Sequence, residues 1–371
     1  MLLYILSIIF VVTGLVQRRK TLLTYLFVVF LWTLYAFSSG NADFVIHQTH
    51  FHSYSDFASQ TEWMYSLFMR AFNLCGLDYR AFLVCDSLFV LLAYYIFIKR
   101  NTRYVAFVLS LYMIFPFCMD VTMVRYTFAF AVILLGLDGA WNGKSWKGFL
   151  LSIFIATLIH SGSMLMLLWL LPLRFSNRML MRMTACIVPC LCLSGVMLKE
   201  LVKFFMLMDP LGLKEKISIV LDFSQMSYEF RDWCRYDIKI IISFLIMFFV
   251  FWQVKKYIRT IDTSNAEDED VAKIKKIEYA AGLNVVSLFL IPLIVVSADM
   301  FRMQLSMSVV FYVAIANYIE LRKKFSPKKN NITIILAMVV FTVINLYMWV
   351  LGGPNLQSVW EPLFFENVLW G

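Results

Sequence analysis

Arg125 and His160 each interrupt a long apolar run, MVRYTFAFAVILLG around the arginine and GFLLSIFIATLIHSGSMLMLLWLLPL around the histidine. An ionisable side chain at membrane depth is costly unless it faces a polar cavity or a partner, so both are candidates for chemistry. Three further residues join them. Asp43 and Glu62 lie in the polar segment NADFVIHQTHFHSYSDFASQTEWMYSLFMRAFNLCGLDY, and Arg302 opens a late apolar run three residues after Asp299, on the same helix face. An arginine fork holds phosphate oxygens bidentately, and a histidine or carboxylate can take the proton of an attacking hydroxyl. The set points to a water-filled cavity for a polar, anionic ligand carried on a lipid.

The elements that must position these residues are membrane helices. Hydrophobic residues make up 61% of the chain and charged ones 15%, with a mean hydropathy of +0.76, which excludes a soluble domain. Apolar runs recur near 2–16, 22–37, 81–98, 104–118, 121–137, 148–171, 183–198, 238–254, 280–297, 303–319 and 332–350. The expected fold is an all-α polytopic integral membrane protein of about 10–12 transmembrane or re-entrant helices, one domain over 1–371 with an outward-facing cleft. The first run has no small-residue cleavage site behind it and reads as an uncleaved span. The longest polar stretches outside the 38–80 loop are 199–237 and 255–278, too short for a nucleotide-binding domain, and no GxxxxGK[ST] or GxGxxG pattern occurs. ATP-driven work, a resident cofactor and a nucleic-acid partner are not expected.

Most of the 33 basic residues collect at Arg18 to Lys20, Lys99 to Arg103, Lys144 and Lys147, Arg174 to Arg182, Lys255 to Lys276 and Arg322 to Lys329. Short loops rich in lysine and arginine stay cytoplasmic, so the amino terminus and the 38–80 loop, with a short helix after Gln60, lie outside. The charged loop 255–278 lies inside. Parity then requires one apolar segment not to cross. Either 148–171 breaks at His160-Ser161-Gly162-Ser163 and doubles back, or 183–198 is re-entrant around Pro189, and 199–237 is an outer loop in both cases. His160, twelve residues after Gly148, falls about 18 Å from the inner edge, in the outer half of the bilayer.

Each residue has a plainer alternative. Arg125 near its helix end can snorkel to the interface. His160 can be a packing residue with Ser161 and Ser163, and Asp299 with Arg302 an exposed pair of little energetic value. His47, His50 and His52, flanked by Asp43 and Asp56, match no standard zinc spacing and read as a solvated loop. Cys186, Cys190 and Cys192 read as small hydrophobes. The stretch Asn265–Asp270 reads as a cytoplasmic solvated turn leading into charged helix, and Trp360, Phe364, Phe365 and Trp370 read as interfacial anchors.

Over roughly residues 40–175, with a weaker echo near 302, these residues resemble the EpsG family of Wzy-like polysaccharide polymerases. An outer-loop Asp followed about twenty residues later by Glu and an aromatic looks like Asp43 and Glu62-Trp63-Met64-Tyr65. The family's Arg-Gln pair opening a helix looks like Arg125-Tyr126, and its Phe-His-x-Ser-Ala looks like Ile159-His160-Ser161-Gly162-Ser163. Arg302 with Phe311-Tyr312 looks like its late arginine followed by aromatics. Tyr126 departs from the usual glutamine, and Gly162-Ser163 from the small apolar pair.

The resemblance implies a polymerase in the bacterial cytoplasmic membrane, joining repeat units for an O-antigen, capsule or exopolysaccharide on its outer face. Its partners would be a polyprenyl-diphosphate-linked oligosaccharide, an acceptor glycan and membrane lipid, with a chain-length regulator and a flippase in the same pathway. Diphosphate is already a good leaving group, so the protein need supply only charge stabilisation, a base and positioning. Arg125 and Arg302 are expected to hold the diphosphate. Glu62 or His160, ahead of Asp43, is expected to be the base, without metal. A flippase of lipid-linked oligosaccharide would show repeated halves with paired broken helices, and none is evident. A membrane acyltransferase using His160 would need basic recognition facing inward.

Overall fold

The structure is a computed structural model that describes residues 2–19, 21–41, 43–52, 62–142, 146–208, 230–261, 267–294, 301–326, 332–353 and 355–368, with backbone alone over 193–208 and 230–236. Among the described residues there is no strand. Among the described residues six helices are long and apolar enough to cross a membrane: Tyr79–Asn101, Val124–Trp141, Asp237–Ile258, Asp268–Leu293, Arg302–Phe325 and Ile332–Leu351. Shorter apolar helices accompany them, and the protein is a multi-pass all-α membrane protein. The helices cluster into two compact units, one of residues 1–167, 256–277 and 308–371, the other of 168–255 and 278–307.

The first unit holds α1 (Leu2–Gln17), α2 (Thr21–Ala36), α3 (Phe44–His52), α4 (Trp63–Leu74), α5 (Tyr79–Asn101), α6 (Val105–Ile114), α7 (Phe117–Thr122), α8 (Val124–Trp141) and α9 (Trp146–Ile159). Asp78 caps α5 by accepting from the Ala81 N–H at 2.8 Å, and Lys99 and Arg100 in its last turn complement the helix dipole. With 23 residues α5 is about 34 Å long, enough to cross a bilayer core.

Helix α8 packs against both α5 and α9. The α8–α9 crossing is close because Gly136 has no side chain: a Cβ there would fall on the Ser152 hydroxyl and within 3.1 Å of the Phe149 Cα. Gly14 serves α1 in the same way against Ser110 and Ala106 of α6. Gly136→Leu should therefore force α8 from α9 and lower stability by about 1–3 kcal/mol. Thermal unfolding of the purified protein would register this, with Gly139→Leu, where a Cβ meets nothing within 4 Å, expected to leave the transition in place.

His160 ends α9. Its own N–H still donates to the Ala156 carbonyl at 2.8 Å, and the chain then tightens into a 3-10 helix, Ser161–Leu170. The interruption thus falls at His160. Pro189 instead lies inside a continuous helix, so the alternative of a re-entrant break around it is corrected.

The second unit contains α10 (Leu171–Arg174), α11 (Asn177–Met208) and most of α12 (Phe230–Ile258). It also takes the C-terminal part of α13 (Asp268–Val286), α14 (Leu290–Ile294) and the first turns of α15 (Arg302–Phe325). Gly282 lets α13 approach Pro172 and Asn177, Asn177 Nδ2 donates to the Glu278 carbonyl at 3.0 Å, and the Tyr279 hydroxyl to that of Trp169 at 3.0 Å. Helix α11 runs on to Met208 and α12 begins at Phe230, so both ends of the 199–237 stretch are helical, while 209–229 lie outside the described residues.

Asp268–Asp270 form the first turn of α13, where carboxylates complement the helix dipole, and the buried Asp270 accepts from Lys324 Nζ at 2.7 Å. Only residues 265–266 of that supposed turn lie outside the described set. In the tail, beyond α16 (Ile332–Leu346), Trp360 and Phe364 of the segment entering α17 (Glu361–Phe365) pack edge-on against Tyr4 of α1 at 6.2 and 5.5 Å. Phe364 is buried, Phe365 is 54% exposed, and the Val368 N–H donates to the Phe37 carbonyl at 3.0 Å. Trp370 lies outside the described residues.

Candidate active site

Glu62 gathers the site. It precedes the first turn of α4, an amphipathic helix whose Tyr65 and Met69, four apart, are buried while α4 lies against α5 and α9. One carboxylate oxygen, Oε2, accepts from Arg125 Nη1 at 2.9 Å. The other, Oε1, accepts the Ser161 N–H and the Ser161 hydroxyl, each at 2.9 Å, so a negative charge faces the start of the 3-10 helix. His160 Nδ1 stands 3.0 Å from the same Oε1. Arg125, Glu62 and His160 side chains retain 28%, 14% and 15% of their exposure, so the group is neither in bulk water nor sealed off.

The electrostatics follow from this packing. Burial alone would raise the Glu62 pKa, but the adjacent His160, the Arg125 charge and the Ser161 N–H together outweigh it and hold the carboxyl at about 2, against an ordinary 4.5. Glu62 is therefore ionised at neutral pH and weakly basic, with both oxygens occupied. Arg125 sits in the first turn of α8, where the helix dipole disfavours a cation and no side chain caps the free N–H groups. Glu62 offsets that penalty. Only one guanidinium nitrogen is committed to Glu62, which leaves the rest of the fork for a ligand.

His160 is held from two sides. The Tyr126 ring stands perpendicular to it at 5.5 Å, and Glu62 faces Nδ1. Its Nε2 borders Gly162, where a Cβ would approach to 3.0 Å, so a glycine at 162 keeps that nitrogen uncrowded. His50 of α3 belongs to the same neighbourhood: burial, then the Arg125 charge, hold its imidazole below the ordinary value.

The structure thus brings together Glu62, Arg125 and His160. Asp43 stands at the start of α3, where its carbonyl accepts from the His47 N–H and its carboxylate acts electrostatically on Tyr79. Arg302 opens α15 within the second unit, its carbonyl accepting from the Ser306 hydroxyl. Asp56 and Asp299 lie outside the described residues. Among the described residues no group of three or more His, Cys, Asp and Glu side chains could hold a metal ion.

A family model for the EpsG family matches residues 2–360. The chain belongs to the EpsG family. Membership of this Wzy-like polymerase family makes it a polysaccharide polymerase-like membrane protein and extends the likeness well beyond the third of the sequence that first suggested it. No curated protein and no solved structure matches it.

The apolar runs of this EpsG-family chain also contain two buried acids that reading for Arg125 and His160 passes over. Asp86, in α5, accepts from the Tyr65 hydroxyl at 3.3 Å, and Asp120, in α7, from the hydroxyls of Tyr94 and Tyr112 at 3.0 and 2.9 Å. Tyr65 is one helical turn beyond Glu62, so the Asp86 contact ties α4 to α5 and fixes the end that carries Glu62. A single Asp within LVCDSLFVLL was the available signal.

Proposed function

We propose that this protein joins polyprenyl-diphosphate-linked oligosaccharide repeat units into a surface polysaccharide on the outer face of the bacterial cytoplasmic membrane. The observation that carries the proposal is one ionised carboxylate shared by an arginine and a histidine at the end of two membrane helices. The uncommitted Arg125 donors and the uncapped start of α8 form a place for diphosphate oxygens.

In the transfer, an acceptor sugar hydroxyl attacks the anomeric carbon of the lipid-linked glycan. The new glycosidic C–O bond forms as the C–O bond to diphosphate breaks, the electron pair leaves with the polyprenyl diphosphate, and the hydroxyl proton passes to His160 Nε2. His160 is favoured over Glu62 as the base because both Glu62 oxygens are occupied and its pKa is held far below neutral. Glu62 is then a positioning residue, orienting the imidazole through Nδ1 as the carboxylate does in a hydrolase triad. Asp43 is the weakest candidate for the base, since no described contact ties it to His160.

The test is incubation of the purified protein in detergent with lipid-diphosphate repeat units and no nucleotide. A ladder of increasing glycan length supports the reading. Movement of the lipid across a reconstituted bilayer without elongation overturns it in favour of a flippase. Arg125→Lys retains the charge facing Glu62 but not the fork. Loss of one charged hydrogen bond, about 1.5–3 kcal/mol, should slow elongation by about ten- to a hundredfold, measured as initial ladder growth at normal protein level.

A further inference from the structure

At the opposite end of α5 and α8 from Glu62 lies a polar cavity of about 280 Å³, within the first unit. Five cations line it, Lys99, Arg100, Arg103, Lys273 and Lys276, against two lining acids, Glu269 and Glu320. The acids are already occupied. Glu320 accepts from the Thr102 hydroxyl at 2.7 Å and pairs with Lys273 at 3.1 Å, while Glu269 takes Arg103 on both oxygens at 3.0 Å and Lys273 at 2.8 Å. Arg100 is met by the buried Asp138 at 3.1 Å.

Lys276 is left over. It is 5% exposed and lines the cavity; no ion pair or hydrogen bond holds its ammonium directly, the Trp141 ring stands 6.0 Å away, and Asp138, Glu269 and Glu320 act on it only at longer range. Asn101, also lining the cavity, directs Nδ2 to Asp138 and the Phe97 carbonyl and leaves its buried Oδ1 without a donor. A buried ammonium without a direct ion pair and a buried amide oxygen lacking a donor are both unfavourable, and one ligand carrying an anionic group beside a hydroxyl or N–H relieves both.

We propose that this cavity binds a phosphate-bearing anion, with Lys276 as its principal counter-charge and Asn101 Oδ1 accepting from a hydroxyl on the phosphate or the group it esterifies. The volume holds a phosphate and a few further heavy atoms, below the ~300–1,000 Å³ of sites that take drug-sized molecules. The side is the one that the distribution of lysines and arginines assigns to the cytoplasm. Both a soluble phosphate and a lipid phosphomonoester headgroup carry this chemistry. The site is independent of the elongation reaction.

The full chain would be placed in phosphatidylcholine nanodiscs and titrated with inorganic phosphate, with binding followed by thermal shift, and separately in nanodiscs containing phosphatidic acid, with retained lipid read by native mass spectrometry. Binding in the first arm identifies a soluble phosphate. Retention only in the second identifies a lipid headgroup. Lys276→Met should weaken either by about tenfold or more and, without anion, melt at or above the wild-type temperature, because it removes a buried charge that no direct ion pair holds. Lys276→Arg should bind. No binding by wild type in either arm, unchanged binding by Lys276→Met, or loss of folding in that variant without anion would each overturn the proposal.

Discussion

Glu62→Gln is expected to reduce polymer formation by at least about a hundredfold while leaving the protein folded and at wild-type level in the membrane. The substitution is nearly isosteric, and its amide oxygen can still accept from Ser161, so α4 keeps its seat on α9. What disappears is the charge that sets Arg125 against the α8 dipole and faces His160 Nδ1. Because Glu62 acts through its neighbours, the loss should appear in the rate of elongation more than in lipid-diphosphate binding. An acid titration separates it from a structural effect. A carboxyl held at about 2 against an ordinary 4.5 contributes stability that is complete above 4.5 and is lost as pH falls from there through about 2, on the order of 3 kcal/mol in all. The wild type should show that slope in unfolding measurements and Glu62→Gln should lack it. Equal slopes would show that the carboxylate is not held by its cationic neighbours.

His160→Ala is expected to lower elongation by roughly 10²–10⁴-fold, the usual contribution of a positioned general base. Lipid-diphosphate binding should persist in this variant, since Arg125 and its Glu62 partner remain. Elongation by His160→Ala at the wild-type rate would assign the proton to another group, with His50 the next to examine because it shares the Arg125 neighbourhood.

The residues that proved legible in the sequence were those whose cost is local. A lone arginine or histidine in an apolar run is visible without any fold, and Ser161-Gly162-Ser163 after His160 announces a helix that stops. The meeting of Glu62 with His160 was not legible from spacing, since the two lie 98 positions apart with several helices between them. Asp86 and Asp120 were missed for a related reason: each is satisfied by tyrosines from other segments, and such a partnership exists only after packing. Lys276 likewise reads as one more basic residue of the charged 255–278 stretch. Its significance lies in the acids around it having been claimed by other cations, which a sequence does not reveal. The Pro189 alternative failed because a proline can be carried within a long helix when surrounding elements satisfy the freed carbonyl.

The most direct measurement is a single turnover on a defined lipid-diphosphate repeat unit with an acceptor glycan and no nucleotide, quantifying both products. The account predicts one polyprenyl diphosphate released for each glycosidic bond formed by the wild type, with Glu62→Gln and His160→Ala binding the donor but yielding neither product at a comparable rate. Bond formation by both variants at the wild-type rate, or donor translocated and never elongated by the wild type, would contradict it.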